Sequence, residues 1–103
     1  MVLKIIWTQT AISQLKQIFT FYQDIANTSV AQRILNRIIE RAILLETYPN
    51  AGQKEELLKT RANDYHYLIE GNFKIIYWID KDLIKIASVF DCRKDPSKLE
   101  NEI

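Results

Sequence analysis

Two tight turns in the last third of the chain constrain its fold more than any other feature. Glu70-Gly-Asn-Phe73 has glycine at the first central position, as a type II′ hairpin turn requires, and Asp80-Lys-Asp-Leu83 is a second two-residue connection. The segments around these turns, from Tyr65 to Pro96, are rich in β-branched and aromatic residues. This pattern predicts three antiparallel strands that follow one another as a meander.

The two turns also predict a register, and therefore which side chains share a face of the sheet. One face, which should be buried under other elements, collects mostly apolar side chains: Leu68, Phe73, Ile75, Tyr77, Ile79, Ile84, Ile86, Ser88 and Phe90, with His66 at its end. The other, here called the second face, mixes aromatic, apolar and charged groups: Tyr65, Tyr67, Ile69, Lys74, Ile76, Trp78, Lys85, Ala87, Val89, Asp91 and Arg93. We expect the second face to be open and to be the working face.

Two amphipathic helices are predicted before the meander. After a capping threonine at position 8 or 10, apolar residues recur at intervals of three and four as far as Ile25. The opposite face of this first helix carries polar residues, among them Gln14. Asn27-Thr-Ser29 offers a second cap, after which the same period continues to about Tyr48 and Pro49 ends it. The short connection predicts an antiparallel helix pair.

The first seven residues, from Met1 to Trp7, alternate weakly and are rich in β-formers, which indicates a short strand. The predicted fold is therefore α+β: a short N-terminal strand and an antiparallel helix pair packed on one face of a mostly antiparallel sheet. With 103 residues, of which 48% are hydrophobic and 26% charged, we expect one globular domain spanning residues 1–103.

Composition argues against several classes of function. A formal net charge of +1 gives no general argument for binding nucleic acid or an anionic membrane, so an electrostatic case must rest on a local patch. The apolar start is too short for a signal peptide or a membrane span, and we expect a cytoplasmic protein with no membrane partner. Cys92 is the single cysteine and His66 the single histidine, so we expect no metal site, no cofactor and a packed thiol.

Three segments carry a family resemblance when they are taken in order with this layout. They are Tyr48-Pro-Asn-Ala-Gly52 after the second helix, Phe73-Lys-Ile-Ile-Tyr77 in a central strand, and Val89-Phe-Asp-Cys-Arg93 at the end of the last strand. With them the chain resembles the RelE/ParE superfamily over essentially its whole length. The resemblance implies the toxin of a type II toxin-antitoxin module, held inactive by a cognate antitoxin that wraps around it, and is compatible with a heterotetramer of the two.

The superfamily divides by target, and the resemblance leaves both targets open. RelE-like members cleave messenger RNA on the ribosome, using arginines and lysines and often a tyrosine or histidine near the end of the chain. ParE-like members lack that set and poison DNA gyrase. The sequence after Arg93 contains no tyrosine or histidine, so a growth-inhibiting, ParE-like gyrase poison is slightly favoured. The alternatives are a ribosome-dependent endoribonuclease and a non-toxic member that only binds a partner.

Three cations are the candidates for catalysis if the protein is a ribonuclease: Arg61, Lys74 and Arg93 would stabilise the charge that develops on the scissile phosphate. Arg93, expected on the second face, could also hold an acidic partner by a bidentate contact, or simply form a surface ion pair with Asp91 or Asp95. Lys74 on a strand is more often only solubilising.

Aromatic residues on the second face are the candidates for partner binding. Tyr65, Tyr67 and Trp78, together with Ile76 and Arg93, form a cluster that could stack on bases but more often anchors a protein. His66 is interpreted as a structural residue beside Tyr77.

Three arginines mark the second helix. Arg33, Arg37 and Arg41 recur every four residues and predict one stripe along the helix, which is usually a solvated surface balanced by nearby glutamates.

Overall fold

The computed structural model describes residues 3–103. Within this range it contains three α-helices and five strands, with short 3₁₀ helices at Glu56–Leu58 and Pro96–Lys98. In chain order the elements are β1 (Lys4–Trp7), α1 (Gln9–Ile25), α2 (Thr28–Thr47), β2 (Gln53–Lys54), β3 (His66–Glu70), β4 (Phe73–Asp80), β5 (Leu83–Asp91) and α3 (Leu99–Glu102). The predicted N-terminal strand is confirmed as β1, while Met1 and Val2 lie outside the described residues.

The strands of residues 3–103 form one sheet in the order β1-β5-β4-β3-β2, in which β1 runs parallel to β5 and every other pair is antiparallel. The two predicted turns are confirmed, because Glu70 pairs with Phe73 and Asp80 pairs with Leu83. Gly71 has φ +58°, the left-handed conformation that the first central position of a type II′ turn needs. The α+β architecture predicted from the sequence is therefore the observed one.

Side-chain caps begin both long helices. Thr8 accepts a hydrogen bond from the backbone N–H of Ala11, and Asn27 accepts one from Val30, so each satisfies one of the free N–H groups of a helix start. The Thr8 hydroxyl also donates to the Ile86 carbonyl oxygen at 2.8 Å. This residue therefore caps α1 and fixes the start of that helix against β5.

The main core lies between the helix pair and one face of the sheet. Its fully buried members include Ile38 and Leu45 from α2 and Ile75 and Ile86 from the central strands. Ile38 is 0% exposed, as its position in the middle of the apolar stripe predicts.

A bulge in β5 corrects the predicted register over the far half of the meander. Tyr77 pairs with Ile86, but the preceding residue Ile76 pairs with Ser88, so Ala87 has no partner on β4. Because side chains alternate along a strand, one extra residue exchanges the faces of everything beyond it. Val89 therefore packs in the main core, whereas Phe90 packs on the second face, the reverse of the prediction.

The second face is covered, so the expectation of an open sheet was wrong. Leu58 from the first 3₁₀ helix and Leu99 from α3 pack there in a smaller core with the following buried residues: Tyr65, Ile76, Ala87 and Phe90. Arg61 fastens this cover by donating to the backbone carbonyl oxygens of Glu100 and Ile103. Burial of apolar surface explains the arrangement, since Phe90 would otherwise be left in water.

Tyr77 anchors the loop that follows α2. Its hydroxyl donates to the Pro49 carbonyl oxygen at 3.0 Å and accepts from the Gly52 backbone N–H at 3.0 Å. A side chain at Gly52 would have no room, because its Cβ would lie 2.7 Å from the Tyr77 ring and 2.9 Å from the Tyr67 carbonyl oxygen. Gly52 is therefore required for close approach, and its φ is not in the left-handed region.

Replacing Ile38 by aspartate should unfold the protein. The change places an unpaired carboxylate at a site with no solvent access, at a cost of several kcal/mol against a typical total stability of about 5–15 kcal/mol. Thermal melting followed by circular dichroism measures it. Ile43→Asp is the matched control, because Ile43 lies on the same helix and is 49% exposed. A cooperative, wild-type melt of Ile38→Asp would refute the two-layer core.

Gly52→Ala should lower the free energy of unfolding by about 1–3 kcal/mol, because the added methyl group must displace backbone or the Tyr77 ring. Urea unfolding measures the loss, with Ala51→Ser at the exposed neighbouring position as the control. Equal stability of Gly52→Ala and the wild type would show that the loop moves away from Tyr77 without cost.

Candidate functional site

A cleft opens between α1 and the far ends of β4 and β5, and is called the α1–β5 cleft below. Its volume is about 320 Å³, and its lining combines an apolar floor with a polar and charged rim. The lining residues are Gln14, Gln17, Ile18, Phe21, Tyr22, Phe73, Val89, Asp91, Arg93 and Lys94. Clefts of this size that combine apolar walls with a few polar groups are the usual form of a binding site.

Gln14 holds α1 against the bulged strand and thereby shapes the cleft. Its side-chain oxygen accepts from the Val89 backbone N–H at 2.7 Å and from the Ser88 hydroxyl at 3.0 Å. Gln14 was predicted on the face opposite the apolar stripe of the helix, whereas the structure turns its side chain toward β5. The pairing of β5 with β1 ends at Trp7 and Ile86, so the Val89 N–H lies beyond the end of β1, and the glutamine supplies its hydrogen-bond partner.

Arg93 lies at the rim of the α1–β5 cleft and not on the second face, which corrects the prediction. Its Nη2 is 2.7 Å from Oδ2 of Asp91 and its Nε is 3.0 Å from Oδ1, a bidentate ion pair. The same Nη2 donates to the Tyr22 hydroxyl at 3.3 Å. The surface ion pair with Asp91, one of the two alternatives from the sequence, is confirmed, and it orients the guanidinium toward α1.

The charges at this rim stabilise each other. The side-chain hydrogen bond from Arg93 holds the pKa of Asp91 below its usual value, and the Arg93 backbone N–H and the charge of Lys94 lower it further. Burial of the carboxyl group acts in the opposite direction but is outweighed. The same carboxylate raises the pKa of Arg93. The ion pair is therefore intact throughout the physiological pH range, while the Arg93 side chain remains 53% exposed to a partner.

The structure does not bring the other two candidate cations to Arg93. Lys74 forms an ion pair at 2.8 Å with Glu55, whose side chain is 3% exposed, and its ammonium group lies 4.4 Å from the centre of the Tyr67 ring. Arg61 is held by the carbonyl oxygens under α3. Both belong to the second face and its cover, and neither lines the α1–β5 cleft.

The predicted partner-binding cluster is largely internal. Ile76 is 0% and Tyr65 is 8% exposed, so neither can contact a partner in this conformation. Trp78 is half-buried and packs edge-on against Tyr65 with ring centres 5.5 Å apart. Tyr67 is also half-buried, and its hydroxyl donates to Gln53 at 3.3 Å.

His66 and Cys92 occupy separate places. His66 pairs with Tyr77 across β3 and β4, and its Nδ1 lies 3.3 Å from the Asp64 carbonyl oxygen, in agreement with a structural role. Cys92 is exposed, so the expectation of a packed thiol was wrong. Across residues 3–103 no three histidine, cysteine, aspartate or glutamate side chains are grouped to hold a metal ion. None of the helices in that range is long and apolar enough to cross a membrane.

The helical side of the cleft was missed by reasoning from the sequence. Tyr22 falls within the apolar period that runs to Ile25, and neither Phe21 nor Gln17 was among the predicted site residues. The available signal was Phe21 itself, a large aromatic residue outside the apolar stripe, which is 48% exposed and packs edge-on against Tyr22 with ring centres 5.1 Å apart.

Comparison with known proteins identifies the family. The family model described as "ParE toxin of type II toxin-antitoxin system, parDE" matches residues 5–96, and the chain therefore belongs to the ParE toxin family. A solved structure described as "Chromosomal ParDE TA system from P. aeruginosa" is similar to this chain with a TM-score of 0.72 and 18% sequence identity, covering 87% of this chain and 96% of that one. At this identity the likeness concerns the fold. No curated protein matches the chain. The resemblance to the RelE/ParE superfamily is confirmed.

Removing the guanidinium should raise the pKa of Asp91 in the Arg93→Ala variant. In the wild type the pKa of Asp91 is lower in the folded protein than in the unfolded chain, and this difference stabilises the fold. The stabilisation is fully present above the ordinary carboxyl pKa of about 3.9 and is lost as the pH falls through the pKa of Asp91 in the folded protein. NMR titration of the Asp91 side chain measures the change, and Lys98→Ala, which removes an exposed cation elsewhere, is the control. An unchanged Asp91 titration would show that the ion pair does not form in solution.

Proposed function

We propose that this protein is the toxin of a type II toxin-antitoxin module that arrests growth by poisoning DNA gyrase. A cognate antitoxin neutralises it, and the toxin and antitoxin chains form a heterotetramer. Membership of the ParE toxin family over residues 5–96 is the observation that carries this proposal.

The distribution of cations supports a target other than messenger RNA. Cleavage of a phosphodiester requires positive donors aimed together at the oxygens on which charge develops. Here Arg61, Lys74 and Arg93 are each held by different partners, and only Arg93 lines the α1–β5 cleft. The single histidine, His66, lies beside Tyr77 in another part of the structure. Within residues 3–103 the three candidate cations do not converge on one site, which favours a toxin that acts by binding.

The α1–β5 cleft has the composition of a protein-binding site. Its rim presents an arginine that is already oriented by Asp91, and its wall presents the exposed ring of Phe21. Arginine and aromatic residues are enriched among the residues that dominate binding energy at protein interfaces. We assign the contact with the target to this cleft, and neutralisation requires only that the antitoxin covers it or prevents the target from reaching it.

Arg93→Ala should abolish or sharply reduce growth arrest while the protein stays folded. Arg93 is an exposed residue outside caps and core, and such substitutions usually change stability by no more than about 0.5 kcal/mol. Induced expression with a soluble-protein blot measures toxicity, and Lys16→Ala, which removes an exposed cation of α1 outside the cleft, is the matched control. Arg93→Lys should restore little if the contact with the target is bidentate.

The target is tested with purified components. The wild-type protein should inhibit supercoiling by gyrase or trap cleaved DNA, Arg93→Ala should not, and transcripts in arrested cells should remain uncut. Cut transcripts with intact DNA would assign the protein to the ribonuclease class. Full growth of cells that contain soluble wild-type protein would indicate that the protein is not toxic and only binds its partner. Full toxicity of Arg93→Ala at wild-type protein levels would remove the cleft from the mechanism.

A further inference from the structure

The free hydrogen-bonding groups of the α1–β5 cleft define the chemistry of the group that it can bind. Gln14 is fixed in one orientation, because the Val89 backbone N–H is only a donor and must face the side-chain oxygen of the glutamine. The Nε2 atom of Gln14 makes no hydrogen bond within residues 3–103 and is not buried, so both of its N–H groups are left for a ligand.

Arg93 adds further free donors at the rim of the cleft. A guanidinium carries five N–H groups, and Asp91 and the Tyr22 hydroxyl take the one on Nε and the two on Nη2. Both N–H groups of Nη1 are therefore left for a ligand. The Tyr22 hydroxyl accepts from Arg93, so its own proton can also be donated into the cleft.

Free acceptors are scarce in the same cleft. The Asp91 carboxylate already accepts three hydrogen bonds from Arg93, namely from Nε, from Nη2 and from the backbone N–H. Among the side chains of residues 3–103 that line the cleft, Gln17 offers the one amide oxygen that no protein donor occupies. The lining also includes two cations, Arg93 and Lys94, against the single carboxylate of Asp91. An anionic acceptor is therefore the polar group that fits best.

The apolar walls of the cleft fit a second group beside that acceptor. Phe73 and Val89 form the floor and are buried, whereas the Phe21 ring at the wall is exposed. An apolar side chain that packs between them would remove this ring from water, which is favourable. Because the whole cleft holds only about 320 Å³, the apolar group and the anion must belong to adjacent residues of one ligand.

We infer that the α1–β5 cleft receives a phenylalanine or leucine side chain that is followed by aspartate or glutamate, in an exposed segment of the toxin's target. The carboxylate accepts from Nε2 of Gln14 and Nη1 of Arg93, and the apolar side chain packs between Phe21 and the floor. Gln14 is therefore the residue that makes the cleft select an acid over an amide. The identity of the occupant as a target segment rests on the proposed function, whereas the ligand chemistry rests on the cleft alone.

Two other occupants fit the cleft less well. Nucleic acid generally needs several phosphate contacts for useful affinity, and the cleft offers only two cations, Arg93 and Lys94. A second copy of the chain could offer Ile79 and Asp80, an exposed apolar residue followed by an acidic one. The Asp80 carboxylate, however, is already paired with Lys85 at 3.2 Å.

N-acetyl-Phe-Glu-amide is the probe for the test, and N-acetyl-Phe-Gln-amide is its neutral control. Titrations of the isolated protein in 50 mM salt are followed by ¹H–¹⁵N NMR, which observes the side-chain NH₂ of Gln14 and the backbone N–H of Val89. The variant Gln14→Glu keeps an oxygen for Val89 and Ser88 and replaces the two free donors with a second carboxylate oxygen. Gln9→Glu makes the same change at an exposed position of α1 outside the cleft and is the matched control.

The wild type and Gln9→Glu should bind the glutamate peptide at least fivefold more tightly than the glutamine peptide, and the Gln14 and Val89 signals should shift on binding. Gln14→Glu should reverse this preference, because its carboxylate repels an acid and can accept from an amide N–H. Melting curves establish that each variant is folded. Arg93→Ala should also lose the preference, which tests the inference independently if Gln14→Glu does not fold.

Several results would overturn the inference. They are the absence of binding of either peptide at 20 mM, a wild-type preference in folded Gln14→Glu, and shifted signals that all lie outside the cleft. A 12-base oligonucleotide that shifts the cleft signals at a lower concentration than the glutamate peptide would assign the cleft to nucleic acid instead. A shift of the same signals when the protein alone is concentrated would assign it to a second copy.

Failure of this inference is separate from failure of the proposed function, because the titration contains no gyrase. If the wild type inhibits gyrase, Gln14→Glu should need at least fivefold more protein than Gln9→Glu for the same inhibition of supercoiling. An equal requirement would overturn the inference and leave the proposed function in place. If the wild type binds the glutamate peptide but does not inhibit gyrase, the proposed target is wrong and the ligand chemistry stands.

Discussion

The bulge at Ala87 is the constraint on which the rest of the structure depends. Without it, Phe90 would point into the helix-covered core, and Val89, Asp91 and Arg93 would point away from α1. With one extra residue in β5, Val89 completes the floor of the α1–β5 cleft and Asp91 and Arg93 form its rim. Two residues beyond the bulge, the Val89 N–H donates to Gln14, and this bond holds the helix that forms the other wall against the bulged strand.

The bulge also explains why this small protein has two cores. By directing Phe90 to the second face, it extends an apolar surface that already contained Ile76 and Tyr65. Leaving that surface in water would forfeit the hydrophobic contribution of three large side chains, about 1.5–3 kcal/mol each. The 3₁₀ helix at Glu56–Leu58 and α3 cover it, and the cations nearby serve this cover: Arg61 holds α3, and Lys74 neutralises a buried Glu55.

The α1–β5 cleft remains open to a partner after these structural demands are met. It presents one oriented arginine and an exposed aromatic ring beside an apolar floor.

Local patterns in the sequence were sufficient for the elements and their order. The apolar period of α1 and α2, the caps at Thr8 and Asn27, and the turns at Gly71 and Lys81 each depend on neighbouring residues, so the sequence alone determined an antiparallel helix pair on a meander. It also placed Arg93 beside Asp91. The tertiary structure alone decided which face Arg93 occupies, because nothing near Ala87 marks a bulge, and a shift of one residue reverses every face beyond it. It likewise decided that the second face is covered. The residues that cover β4 and β5 come from segments before and after the meander, and a local sequence pattern does not predict contacts between residues so far apart in the chain.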